Sequence, residues 1–461
     1  MSTGIWSYPS IGSCSRSLIS RLRNGADFPS PYPVRSELTC KRQEGLASPV
    51  HPPSAHALDT SEDPYVNERT RIGVERLSDV PSLTDGERLG LITNYTGALP
   101  DLGRNIEALL ASGVPLTALF GPEHGLHGTA QAGASETGAR DPESGLPLYD
   151  TYQRSGRDLD ELVASSGVDC LLFDIQDIGT RFYTYVWTMY DLMVTAARLD
   201  LRFVVLDRPN PITGRNPEGP FLDAAYSSFV GRHSIPIRHG LTAGELARYL
   251  NRTAVPDDAG RPADLDVVTM SGWQRSMHID DTGLPWVMPS VNIPTPDTAL
   301  VYPGTGLFEG TNLSEGRGTT RPFELIGAPY VDGRWAGALN ERELPGARFR
   351  DVRFTPTFHK HAHELVRGVQ VYITDRFQFR PVHTAVVMLH TLAQLYPGDF
   401  GWREPTAGGS RAYFIDLLWG SGTLRATIDA GDDPEQTELA GSPRPASPAA
   451  WAGDDVLLYH E

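Results

Sequence analysis

Four short runs decide how this chain folds: Arg88-Leu89-Gly90-Leu91-Ile92, Leu116-Thr117-Ala118-Leu119-Phe120, Cys170-Leu171-Leu172-Phe173 and Phe203-Val204-Val205-Leu206. Each ends in a polar cluster, respectively Thr93-Asn94-Tyr95-Thr96-Gly97, Gly121-Pro122-Glu123-His124-Gly125, Asp174-Ile175-Gln176-Asp177 and Asp207-Arg208-Pro209-Asn210. Continuous apolar runs of this length, separated by helical stretches, are the pattern of parallel strands buried on both faces. In an open parallel sheet the ligand lies beyond the strands' carboxyl ends. All four clusters are therefore expected to converge on one cleft.

The helical stretches fit that frame. Gly103 to Ser112 and Thr184 to Arg198 carry apolar residues at helical spacing. Thr242-Ala243-Gly244-Glu245 opens another helix with a capping box, in which the Thr and Glu side chains satisfy each other's free backbone N–H groups. Asp266 to Met270 reads as one more strand. The expected fold is α/β: a doubly wound domain over 70–300, then a smaller mixed α/β domain over 301–461. In the second domain, Gly368 to Ile373 is a strand and Thr384 to Leu395 a helix, while the Gly- and Pro-rich stretch Gly283 to Pro329 reads as ordered loop. Residues 1–69, rich in Ser, Pro, Arg and Gly, read as an unstructured extension, and 431–453 is a candidate disordered stretch.

Composition narrows the function classes. The 461 residues are 40% hydrophobic and 21% charged, as expected of a globular protein, and no apolar run approaches the roughly 18 residues of a membrane span. A net charge of −17 argues against nucleic acid as a partner. Of three cysteines, Cys170 sits in an apolar run, and Cys14 and Cys40 fall in the extension, so no disulfide framework is expected. Met1 to Ser17 lacks the charged head and apolar core of a secretory signal, which makes the cytoplasm the expected compartment, with an extracytoplasmic location as the alternative if the start is mis-assigned. The oligomeric state is left open.

Motifs exclude more than they identify. No G-x-G-x-x-G follows the first strand and no phosphate-binding P-loop occurs, so a nucleotide would lack its backbone cradle, and no cofactor is expected. Zinc spacings and a G-x-S-x-G nucleophile elbow are also absent. His359, His361 and His363 alternate as on one strand face and read as solvated rather than as metal ligands; no metal is expected.

Carboxylates remain. Glu123 sits in a Gly-flanked, Pro-stiffened turn at a strand end, beside His124. Asp174 and Asp177 follow the third strand: one can cap the next helix while the other faces the cleft. Asp207 and Arg208 can pair within their own loop or face the ligand, while Asn94 and Asn210 at their strand ends are expected to hold the substrate. His239 reads equally as a hydrogen-bonded loop histidine and as a ligand contact. The stretch Tyr302 to Thr320 gathers Glu309, Glu315 and Arg317 among glycines and hydroxyls, a mixture suited to a sugar-binding wall. Glycosidic cleavage needs two such carboxyl groups, one as acid and one as base or nucleophile.

Several long motifs carry a resemblance: Gly121-Pro122-Glu123-His124-Gly125, Asp174 through Tyr185, Leu206-Asp207-Arg208-Pro209-Asn210-Pro211, and Ser314-Glu315-Gly316-Arg317-Gly318-Thr319-Thr320. Together they resemble the exo-β-N-acetylmuramidase family of bacterial cell-wall recycling, over the span from about Gly73 to Leu424. The resemblance implies a Rossmann-like domain without nucleotide, a smaller carboxy-terminal domain, and a site between them. It implies release of N-acetylmuramic acid from the non-reducing end of peptidoglycan-derived saccharides, with Glu123 as general acid. Asp177 or Asp174 is the first choice for the second carboxylate, and Glu309 or Glu315 the second. Arg317, Arg181 and Arg208 are the candidates to hold the lactyl carboxylate; Tyr183, His239 and Asn292 join them as substrate contacts. The chain departs from the family pattern at His127 (usually arginine), at Val291 (usually proline) and in its ending beyond Leu424. Those departures keep open an alternative: a relative that binds muropeptides or another acidic sugar without cleaving them.

Overall fold

The computed structural model describes residues 69–83, 88–131, 133–136, 138–405, 412–433 and 445–459. The expected unstructured extension therefore lies outside the described residues except for Arg69, as does 434–444.

Six parallel strands form the central sheet: β1 (Leu89–Thr93), β2 (Leu116–Gly121), β3 (Leu148–Asp150), β4 (Cys170–Asp174), β5 (Arg202–Leu206) and, after a two-stranded antiparallel pair β6 (Glu218–Phe221) and β7 (Pro236–Arg238), β8 (Asp264–Val268). Their order, β3-β2-β1-β4-β5-β8, is that of a doubly wound sheet, reversing direction between β1 and β4. Alternation along each strand buries both faces. Ile92, Phe120, Phe173, Phe203 and Val205 enter one apolar cluster, and Leu91, Leu119, Leu172, Val204 and Leu206 enter another. Cys170, in the second cluster, is fully buried. The expected helices form at Asn105–Ala111, Tyr185–Leu199 and Ala243–Thr253. The last begins with the expected capping box: Glu245 N donates to Thr242 Oγ1, and Thr242 N donates to Glu245 Oε2.

The smaller part holds an antiparallel sheet of β9 (Leu325–Ala328), β10 (Ala347–Phe354) and β11 (Val366–Ile373) in the order β10-β11-β9, with the helix Pro381–Leu395. Its core is continuous with the first apolar cluster of the parallel sheet, through Leu307, Phe308, Phe323 and Leu389.

Three expectations are corrected. The stretch Gly283 to Pro329 is not loop throughout: Pro296–Thr305 is a buried helix, capped by Thr295 and started by Pro296, that tolerates Pro303 near its end, and β9 lies in the same stretch. His359, His361 and His363 are not on a strand; each has positive φ (71°, 56° and 68°) in the loop between β10 and β11. The far end of 431–453 is ordered, with a helix at Pro448–Ala452. This tail returns to the parallel sheet: Trp451 Nε1 donates to the His239 carbonyl, and Tyr459 Oη donates to Asp207. Among the described residues no helix is long and apolar enough to cross a membrane.

Candidate active site

A cavity of about 450 Å³ opens where the end of β2 faces the smaller part of the chain. Two carboxyl groups line it, Glu123 and Glu309. Glu123 is carried by the turn after β2, and local chemistry fixes that turn. Gly125 (φ 81°) and Gly128 (φ 73°) adopt conformations closed to most residues, and a Cβ at either would strike the Glu136 side chain or the Tyr95 ring. His124, itself at φ 70°, donates its N–H to the Ala134 carbonyl, tying the turn to the segment that follows.

That segment brings Gly133 N to Glu123 Oε1 at 2.8 Å, while Thr184 Oγ1 donates to Oε2 at 2.6 Å. Thr184 is the residue that precedes the helix Tyr185–Leu199. Both carboxylate oxygens are thus held, and the group is nearly buried.

The opposite wall comes from Tyr302, Glu309, Arg317 and Phe323. Arg317 Nη2 lies 3.2 Å from Glu309 Oε1, its Nε 3.2 Å from Glu315 Oε1, and its guanidinium 5.0 Å above the Phe323 ring. Burial lowers the Arg317 pKa, but Glu309 and Glu315 outweigh that, leaving it raised. Glu315 is fully buried behind the wall, with His359 Nδ1 at 3.0 Å and Lys360 Nζ at 2.8 Å. Burial would raise its pKa, yet Lys360, His359 and Arg317 together bring it down to about 2. Glu315 therefore anchors the wall rather than facing the cavity. Tyr302 packs edge-on against Phe182, Tyr183 and Phe323, and its hydroxyl pKa is raised by burial and then by Glu309 and Glu123. One buried hydroxyl thus feels both cavity carboxylates.

Of the residues singled out from sequence, Glu123, His124, Tyr183, Asn292, Glu309 and Arg317 line this cavity. Asn292 Nδ2 is buried there without a hydrogen-bond partner among the described residues.

The other strand-end clusters converge on one another instead. Asp174 is fully buried in a two-pronged pair with Arg208 (one arm 3.0 Å) and accepts from Asn105 Nδ2 at 2.7 Å. This group fills the switch point between β1 and β4, where a doubly wound sheet ordinarily receives its ligand. Asp207 accepts from Tyr459, Thr242 Oγ1, Gly244 N and Arg208 N, and burial pushes its pKa up to about 6. Asn94 closes a turn onto Thr96, and Asn210 bridges Ile212 N and the Leu241 carbonyl. Asp177 accepts from Gly179 N and lies 3.2 Å from His239 Nε2, neither group lining the cavity. Arg181 is also away from it: fully buried, it donates to the carbonyls of Pro220, Ile235, Leu418 and Trp419, and burial pulls its pKa down to about 9.

Sequence reading missed Thr184 as the partner of Glu123, although its motif was in view, and it missed His359, Arg403 and Phe414, which also line the cavity. The alternating histidines hid His359 behind a strand pattern, and nothing local to Arg403 marks it.

Models for the N-terminal and C-terminal parts of exo-β-N-acetylmuramidase NamZ match residues 89–297 and 300–443. The chain belongs to this family. The resemblance carried by the strand-end motifs is thereby borne out. The chain is similar to the peptidoglycan β-N-acetylmuramidase NamZ of Bacillus subtilis (strain 168), 46% identical over 370 residues that cover 80% of this chain and 86% of that protein. Crystal structures of two DUF1343 family proteins from Bacteroides fragilis share the fold, with TM-scores of 0.72 and 0.65 at 34% and 27% identity. Each alignment covers 85% of this chain and 99% of the other. In the exo-β-N-acetylmuramidase fold of this chain, the glycine-rich P-E-H-G-x-x-G turn delivers the cavity's first carboxylate and the stretch from Tyr302 to Thr320 its second.

Proposed function

We propose that this chain is an exo-acting glycosidase that releases N-acetylmuramic acid from the non-reducing end of peptidoglycan-derived saccharides. The observation that carries this reading is the pair Glu123 and Glu309, brought from two parts of the chain to one aromatic-lined cavity of ligand size. Glu123, oriented by Thr184 and Gly133, donates the proton to the departing glycosidic oxygen. Glu309, held against the Arg317 cation, is the base or nucleophile on the other side of the sugar. Asn292 offers an unpaired donor to the sugar's polar substituents, and Tyr183 and Tyr302 form the apolar wall against its ring. In this reading Asp174 and Asp177 serve the scaffold: the first neutralises Arg208, and the second faces His239. Nothing in the cavity favours the binding-only alternative, since both carboxylates are present and held.

The test is incubation with muropeptide-derived saccharides that end in N-acetylmuramic acid, following the products with time. Free N-acetylmuramic acid should appear as the product, leaving a saccharide one sugar shorter that ends in N-acetylglucosamine and is not cut further. Internal fragments, or no release at all, would reject the proposal.

A further inference from the structure

A muramic acid residue differs from N-acetylglucosamine by an O-lactyl group that ends in a carboxylate. A site that reads this difference needs a cation not already neutralised, the more so in a chain of net charge −17 whose cavity holds two carboxylates. The arginines expected for the role are all committed. Arg208 is paired with Asp174, Arg181 with four carbonyls, and Arg317 lies between Glu309 and Glu315. His359 faces Glu315.

Arg403 is different. It lines the cavity, and among the described residues no carboxylate lies within ion-pair distance of it. It is solvent-exposed, yet its place is firmly set. Arg403 N donates to the Gly310 carbonyl at 2.8 Å, Asn312 N donates to the Gly401 carbonyl at 2.9 Å, and Trp402 Nε1 donates to Asp429 at 2.7 Å. The first two bonds clamp 401–403 against the segment that carries Glu309, and the third ties it to the helix Thr423–Ala430. The guanidinium carbon sits 5.1 Å from the centre of the Phe414 ring, which also lines the cavity. A ring face steadies the cation without using its N–H donors, so the guanidinium fork remains available to a carboxylate.

We propose that Arg403 recognises the carboxylate of the 3-O-lactyl group and is the residue that selects muramic acid over N-acetylglucosamine. This assignment rests on reading the cavity as a muramide site.

Calorimetry at neutral pH tests it, with N-acetylmuramic acid and N-acetylglucosamine titrated into the wild-type chain, Arg403→Met and Arg403→Lys. The wild type should prefer the acidic sugar. Arg403→Met should reduce that preference by roughly 10- to 100-fold, the usual worth of a hydrogen bond to a charged group. Arg403→Lys should keep part of it, as a point charge without the planar fork. The same ratio should fall in kcat/KM for a β-N-acetylmuramide against its lactyl methyl ester. No preference in the wild type, or an unchanged preference in Arg403→Met, overturns the assignment. A wild type that hydrolyses no muramide but shows an Arg403-dependent preference would overturn the glycosidase reading and uphold this one. Hydrolysis with a preference insensitive to Arg403 would do the reverse.

Discussion

Replacing Glu123 by glutamine separates chemistry from architecture at this site. The oxygen of the new amide can still accept from Gly133 N, and its amino group can donate to Thr184 Oγ1, which as a hydroxyl accepts as well as donates. Both contacts survive in changed polarity, so the folding cost should be ~1 kcal/mol. What disappears is the transferable proton. General acid catalysis contributes about 10²- to 10⁴-fold, or ~2.7–5.5 kcal/mol of barrier. The leaving group decides how much of that is felt. A sugar alkoxide is strongly basic and needs the proton; p-nitrophenolate is weakly basic and departs nearly unaided. Glu123→Gln should therefore lose about 10²- to 10⁴-fold in kcat/KM on a muramic acid-terminated saccharide, and much less on p-nitrophenyl β-N-acetylmuramide. Measuring both rates alongside the urea midpoint makes the comparison. Near-wild-type cleavage of the saccharide by a folded variant would refute the role of Glu123. Equal losses on both substrates would refute its role as the acid and move it to the base or nucleophile.

Three further outcomes follow from the way the site is held. Arg181→Met leaves the carbonyls of Pro220, Ile235, Leu418 and Trp419 without their donor and should cost about 4 kcal/mol or more, read from urea unfolding; a loss under about 1 kcal/mol would contradict the stapling role. Glu315→Gln removes the buried countercharge that Arg317, His359 and Lys360 share and should destabilise the chain by ~3–5 kcal/mol at neutral pH. Because the Glu315 pKa is lowered to about 2 from 4.5, its contribution is present above pH 4.5 and lost as pH falls toward 2. Wild type and variant should therefore converge in stability on acidification, and a gap that persists at pH 2 would count against the ion cluster. His127 lies 3.1 Å from Glu136 and 3.2 Å from Asp141; burial lowers its pKa, but Glu136, Glu143 and Asp141 together outweigh that, for a net rise above 6.5. The tie it gives the Glu123 turn is complete below pH 6.5 and is lost as pH climbs through the raised value. Amide-exchange protection factors at Thr129 to Glu136 should accordingly fall with rising pH in the wild type and hold steady in His127→Arg; identical profiles would dismiss the tie.

The parallel sheet was legible because strands buried on both faces leave continuous apolar runs, and no other element mimics a series of such runs between helices. The helix Pro296–Thr305 was hidden by its own composition. Prolines and glycines that normally mark loops are tolerated there because Pro296 occupies the first turn and Pro303 the last. The loop carrying His359 was hidden in the opposite way, by an alternation that looks like a strand but is imposed by three left-handed residues.

Charge pairing was the least legible property, because it is settled between residues far apart in the chain. Asp174 and Glu123 both end apolar strands, and nothing local separates them. Arg208 reaches Asp174 from the end of β5, 34 residues away, while Thr184 reaches Glu123 with a hydroxyl that leaves its charge uncompensated. The same contrast separates Arg317, between two glutamates, from Arg403, steadied only by a ring. Strand ends indicate where polar groups gather, and pairing then withdraws most of them from chemistry. The functional site in such a fold is what the scaffold holds in place and still opens to the cavity: Glu123 and Arg403 without a countercharge, and Glu309 beside Arg317.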